Sequence, residues 1–401
     1  MCSKFLEGRP SPGLSGGRIP TFLPLAAEKR YISSGGSPSR TKLLPVAIVG
    51  DRGCGKSVFV SLLTLAADKY AIDEGGVKFR WTQDPLYAQS VGDMQKWLKM
   101  RKWPPLTTKG TLSGYYFTFG YHKRLGALEK PVKTATRGRV RTPVGMSYNR
   151  VNFKIYDIAG EDVTYIKQIV EKRAHDSPGM TFANALAASP NPNLKTILDC
   201  EVLVFLIDSS RITAKVNSEA YKRMLDYDVV MSTLIAAVAE YKGSQPHGAI
   251  YPLFVFTKFD AVESGLLESV GLPSQYEEWA KRAGEGRSFR HMRDRTEAKR
   301  REYAVKLMGK FYGRTLNLIY GGKLRGVDFD DAQYFFSKIN TELNEDGIPV
   351  PTIIAQKGKT GNDVDYSYDE YKAFIKYFQK IAKKMRKEPS GWQGSAIGLG
   401  G

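Results

Sequence analysis

The chain has 401 residues, 42% of them apolar, enough to bury a sizeable core in roughly two or three domains, and no run approaches the roughly 20 apolar residues that span a bilayer. Three cysteines, Cys2, Cys54 and Cys200, and four histidines, His122, His175, His247 and His291, show neither disulfide nor metal-ligand spacing, which argues for a reducing, cytoplasmic setting and against a zinc site. The formal charge is +19, concentrated in residues 1–42, 123–150, 281–314 and 371–387 while the remainder is net acidic. Such a field suits nucleic acid, an anionic membrane face or an acidic protein, and equally a solvated surface; no nucleic-acid motif accompanies it.

Residues 1–41 mix Gly, Pro, Ser and scattered charges without periodicity, as do 389–401, so both ends read as flexible or partner-ordered tails. The start, MCSKFLEGRPSPGLSGG, has no hydrophobic signal core.

The apolar run VAIVG at 46–50 empties into Gly50-Asp51-Arg52-Gly53-Cys54-Gly55-Lys56-Ser57, which satisfies every fixed position of G-x-x-x-x-G-K-[ST]. A strand precedes it and an apolar helix, Val58 to Ala67, follows, the context a phosphate-binding loop requires. Its glycines let backbone amides and the helix N-terminus cradle a β-phosphate. Lys56 would reach the β and γ oxygens and Ser57 would ligate magnesium. Arg52 reads as an exposed loop residue, and Cys54 as contributing its backbone amide.

Further strands are expected at TLSGYYFTFGY (111–121), RVNFKIYDIAG (150–160), EVLVFLIDSS (201–210), YPLFVFTKFD (251–260) and PTIIAQ (351–356), alternating with helical patterns and closing in a lysine-rich helix at about 368–387. Short apolar strands alternating with helices predict a mostly parallel sheet covered on both faces. The strands at 111–121 and 150–160 could pair as an antiparallel hairpin at the sheet edge. Residues 274–326 carry helical spacing of Tyr276, Trp279 and Ala283, then of Tyr303, Leu307 and Phe311, and read as inserted helices followed by a β-like TLNLIYG.

Two later strand ends bear on the nucleotide. Asp157 and Gly160 close KIYDIAG, placing a carboxylate for magnesium and an amide for a γ-phosphate. Thr257-Lys258-Phe259-Asp260 closes FVFTKFD. A carboxylate there can accept from the two N–H groups of guanine's Watson–Crick edge while the Lys258 stem packs along the ring; adenine offers no such pair of donors.

With GDRGCGKS, DIAGED and TKFD in this order, the chain resembles the translation-factor-related (TRAFAC) class of GTPases over about residues 43–385. The expected fold is α/β, a P-loop NTPase (small-GTPase-like) mostly parallel sheet flanked by helices. One such domain would span 42–388, with basic insertions at about 123–149 and 262–350. Trp103-Pro104-Pro105-Leu106-Thr107 resembles the W-P-x-x-T segment of the double-GTPase group, although the same residues could make a packed turn. By that resemblance Thr107 would ligate Mg²⁺ and contact the γ-phosphate, with Thr108 as fallback, and Ala355-Gln356-Lys357 would stand at the last guanine-binding element after the sixth strand. Thr257 replaces the more usual Asn, which should loosen its tie to the phosphate loop. Glu161 stands where many members carry a water-orienting Gln, and its charge beside a developing phosphate anion should slow hydrolysis.

The implied function is a GTP/GDP-binding, Mg²⁺-dependent switch. A protein partner is expected, with nucleic acid, an anionic membrane surface or dimerisation with a related GTPase also open. The alternatives are a nucleic-acid-associated NTPase and a GTP-binding interaction protein with little turnover.

Overall fold

The computed structural model describes residues 43–73, 79–83, 85–104, 113–124, 146–157, 165–166, 168–169, 179–189, 192–243, 250–262, 264–269, 271, 289–321, 332–355 and 362–384. Seven strands form the main sheet: β1 (Leu43–Gly50), β2 (Phe79–Gln83), β3 (Ser113–Arg124), β4 (Met146–Asp157), β5 (Val202–Asp208), β6 (Tyr251–Thr257) and β7 (Gln333–Phe336), in the order β2-β3-β4-β1-β5-β6-β7. The five from β4 to β7 run parallel. With helices on both faces, the chain has the α/β fold of the P-loop NTPases.

Every residue of β5 and β6 is buried, as continuous apolar runs covered on two sides must be. Side chains alternate between the faces. On one, Ala47, Val49, Phe205, Ile207, Phe254 and Phe256 pack with α5 (Glu219–Gly243) and α7 (Phe289–Phe311). On the other, Val46, Ile48, Val204, Leu206 and Val255 pack with α1 (Lys56–Asp73) and α9 (Tyr368–Lys384). Helix α1 is buried almost all round, so its two interior hydroxyls are satisfied locally: Ser61 donates to the Ser57 carbonyl and Thr64 to that of Val60. The described part also contains α2 (Pro85–Lys99), α3 (Phe182–Ala187), α4 (Pro192–Asp199), α6 (Ser264–Ser269) and α8 (Gly313–Gly321).

The antiparallel pair is present, β3 and β4 running in register from Ser113↔Asp157 to Arg124↔Met146. It is not the edge: β2, whose FRWTQ carries little hydrophobic signal, pairs outside it, Phe79↔Tyr121 to Gln83↔Phe117. The β-like TLNLIYG is helix α8 instead, because its Thr315 and Ile319, one helical turn apart, are the residues it buries. Nor does 351–356 supply the last strand of the parallel set. That place belongs to β7 within 262–350, and Ile353–Ala355 (β10) pairs only with Asn362–Val364 (β11). A further hairpin joins β8 (Thr341–Leu343) to β9 (Pro349–Pro351). The two tails lie outside the described residues.

Asp228, buried in α5, ties α8 to the core. Its carboxylate accepts from the Arg314 and Thr315 amides at 3.1 and 3.0 Å and from the Thr315 hydroxyl at 2.6 Å, serving as a helix cap supplied from another element. Asp228→Ala would orphan two amides at a buried helix start. It is expected to cost about 2–4 kcal/mol in urea unfolding, and a change within ±0.5 kcal/mol would show that α8 is held by packing alone.

Candidate functional site: a phosphate loop facing three strand ends

Strand β1 ends at Gly50 and α1 begins at Lys56, so the loop must reverse within five residues. It does so with Gly53 at φ 76° and Gly55 at φ 91°, a region that side chains disfavour. Gly50 is required for another reason. A Cβ there would stand 2.4 Å from the Cys54 sulfur.

Lys56 is buried, and its ammonium donates back across the loop to the Gly50 carbonyl at 2.7 Å. That holds the cation against the loop backbone, where phosphate oxygens would meet it. Ser57 and Val58 occupy the first turn of α1. The Cys54 side chain is buried under the loop, and burial pushes its thiol up to about 11, which keeps it protonated, while its amide donates to the Asp51 carbonyl at 3.2 Å within the loop.

Thr257 does not loosen the tie to the loop. Its hydroxyl sits 2.6 Å from the Cys54 carbonyl and 3.1 Å from that of Ile207, so one short side chain joins the phosphate loop to the ends of β5 and β6. A hydroxyl suffices because the strand end brings it within bonding distance.

Lys258 follows in the left-handed region at φ 51°, and its ammonium pairs with Asp208 at 2.9 Å. Asp260 sits exposed in the next turn. Desolvation by its surroundings raises its carboxyl above the usual range, an effect opposed by its own amide, the Lys338 ammonium, the Ile339 amide and Lys258. The segment Ser337-Lys338-Ile339, leaving β7, therefore lies against the TKFD turn. The Phe259 amide donates to the Ser337 carbonyl at 3.1 Å, and the Ser337 amide to that of Phe256 at 2.7 Å.

This overturns the placement of Ala355-Gln356-Lys357 after the sixth strand, since Ala355 ends a small separate ladder. Gln356 and Lys357 lie outside the described residues, as do Thr107, Thr108, Gly160 and Glu161. Asp157 is the last residue of β4, in register with Ile48 two residues before the loop. Trp103 is anchored on the β8–β9 hairpin, its indole N–H donating to the Pro349 carbonyl at 2.9 Å. Arg52 is exposed, as expected.

Sequence reasoning missed Asp208 and Arg211. The Arg211 guanidinium bonds the Asp51 carboxylate through Nη1 and the Arg52 carbonyl through Nη2 at 3.0 Å, and its Nε lies 3.6 Å from Asp208. Burial works against its charge, but the hydrogen bond and charge of Asp51, with Asp208, more than offset that and hold it protonated. The signal available was position: IDSSR closes a parallel strand, where ligand-binding groups of open α/β sheets collect.

The sequence matches no protein-family model and no curated protein. Among solved structures it matches the signal recognition particle receptor SRb-GTP/SRX complex from Chaetomium thermophilum, at 14% identity and TM-score 0.28, over 74% of this chain and 91% of that one. Strand order and the geometry of the glycine-rich loop define the fold.

No helix among the described residues is long and apolar enough to cross a membrane.

Proposed function

We propose that this chain is a GTP-binding molecular switch of the TRAFAC class, resembling the double-GTPase group, that converts GTP to GDP and phosphate slowly in the cytoplasm. The observation that supports it best is convergence at one sheet end. The phosphate loop, closed by Lys56 and Thr257, shares that end with the turn that carries Asp260. A polyphosphate fits the first part and guanine's paired N–H donors the second. Ser337-Lys338-Ile339 would line the base beside Asp260. Mg²⁺, held by Ser57, Thr107 and Asp157, would neutralise phosphate charge. The Gly160 amide would meet the γ-phosphate, and Glu161 in place of glutamine would keep turnover slow without a partner.

The basic stretch at 281–314 is proposed as a protein-facing surface. In its described part Lys299 and Lys306 both pair with Glu302, at 2.9 and 3.6 Å, which tempers the positive face. Binding to an anionic partner that collapses between 50 and 200 mM salt would instead favour the nucleic-acid reading.

Titration of the purified protein with GTP, GDP and ATP in Mg²⁺ tests the assignment. The expected result is a guanine preference of at least about 100-fold. Asp260→Asn should move that preference toward xanthine nucleotides, whose extra carbonyl pairs with the new amide. Since Asp260 must be ionised to accept from guanine and its carboxyl titrates above the ordinary range, the preference should fade on acidification earlier than for an ordinary carboxylate. Equal affinity for GTP and ATP in the parent chain would sink the assignment.

A further inference from the structure

Four charged side chains form a continuous line from the phosphate loop to the turn beneath the proposed base site. Asp51, in the loop, bonds Arg211; Arg211 also holds the Arg52 carbonyl and lies 3.6 Å from Asp208; Asp208 in turn holds the Lys258 ammonium at 2.9 Å. The other oxygen of Asp208 is fixed by the Ser210 amide at 3.2 Å and hydroxyl at 2.6 Å, so this carboxylate cannot swing away without breaking two further bonds. Arg211 and Asp208 are both buried, where charges are poorly screened.

We propose that Arg211 is a positioning residue for the nucleotide, joining the phosphate loop to the base-binding turn through Asp208. The proposal rests on the guanine-nucleotide reading above and adds a coupling between the two ends of that site. Two carboxylates beside a polyphosphate pocket would repel the ligand; the guanidinium between them removes that repulsion and fixes the loop backbone at Arg52. By holding Asp208 it also sets where the Lys258 stem lies. A lysine at 211 has no planar fork and could serve only one of these partners at a time.

The experiment measures GDP and ADP affinities in Mg²⁺ for the parent chain, Arg211→Gln, Arg211→Lys, Asp208→Asn, Lys258→Met and the Arg211→Gln/Lys258→Met double variant, with a thermal melt of each. Arg211→Gln is expected to weaken GDP about tenfold or more and ADP by less, so that the GDP/ADP ratio falls severalfold. Arg211→Lys should recover part of the loss. The double variant should bind GDP at least about threefold better than the product of the two single losses, because both act through Asp208. Losses that multiply, with the GDP/ADP ratio unchanged, would confine Arg211 to the phosphate loop and overturn the coupling. A lowered melting temperature with parent-like affinity would reduce it to a fold support. If Arg211→Gln does not fold, Asp208→Asn carries the test, since it should lower the GDP/ADP ratio by itself, and an unchanged ratio there overturns the proposal. A parent chain that binds no guanine nucleotide removes the function and the coupling together, whereas a parent that binds GDP beside an equally tight Arg211→Gln removes the coupling alone.

Discussion

Lys56→Ala is expected to weaken GDP and GTP binding about 100-fold or more while leaving the chain folded. The ammonium is buried inside the loop, and its only hydrogen bond described in the structure is to the Gly50 carbonyl at 2.7 Å, a bond a phosphate oxygen would replace or share. A charge-assisted contact to an anion contributes roughly 1.5–3 kcal/mol, and this lysine would serve both the β and γ oxygens, so about 3 kcal/mol is a conservative loss. The stability cost should stay near 1 kcal/mol, because truncation removes a buried cation along with the bond it makes. Calorimetric titration beside a thermal melt separates the two effects. Parent-like affinity in a folded Lys56→Ala chain would mean that the loop does not bind phosphate.

Arg300→Ala should be the most destabilising substitution in the basic stretch, at about 3–5 kcal/mol, with a melting temperature lowered by the order of 10 °C. Arg300 lies in the basic segment 281–314, beside Arg293, Arg295 and Lys299, a composition that suggests a charged helix facing a partner. The structure turns it inward. Arg300 is 7% exposed, and its Nε and Nη2 donate to the two oxygens of Glu370 on α9 at 3.2 and 2.8 Å. The same carboxylate accepts from the Phe336 amide at the end of β7 at 2.9 Å, so the pair clamps α7, α9 and the last parallel strand together. Removing the arginine leaves a buried carboxylate without its counter-ion. Arg300→Met combined with Glu370→Gln keeps an acceptor for the Phe336 amide and should recover most of the loss. A single variant as stable as the parent would show that water reaches this pair. Charge reversal aimed at a partner must therefore leave position 300 alone, because glutamate there would face Glu370 and unfold the contact before any partner is tested.

The sequence by itself determined what is local in the chain. GDRGCGKS fixes a phosphate loop because the glycines, the lysine and the helix start are contiguous, and the buried strands VLVFLID and YPLFVFT are legible because a strand covered on both faces must be apolar along its whole length. TKFD could be read for the same reason, its four residues closing such a strand. What depends on segments far apart was decided only by the tertiary structure. The last parallel strand is QYFF rather than PTIIAQ: both are short apolar runs, and only packing of Phe335 and Phe336 against α9 and α7 selects one, taking Ser337-Lys338-Ile339 to the Asp260 turn with it. The FRWTQ edge strand exists through its ladder with β3, which no periodicity announces. Helix α8 is legible only beside Asp228, 86 residues away in sequence from the Arg314 amide it caps. Arg211 and Asp208 come to the loop after β1, and Arg300 ceases to be a surface residue, for a single physical reason: whether a charge faces water or a buried counter-charge is set by which element lies opposite it.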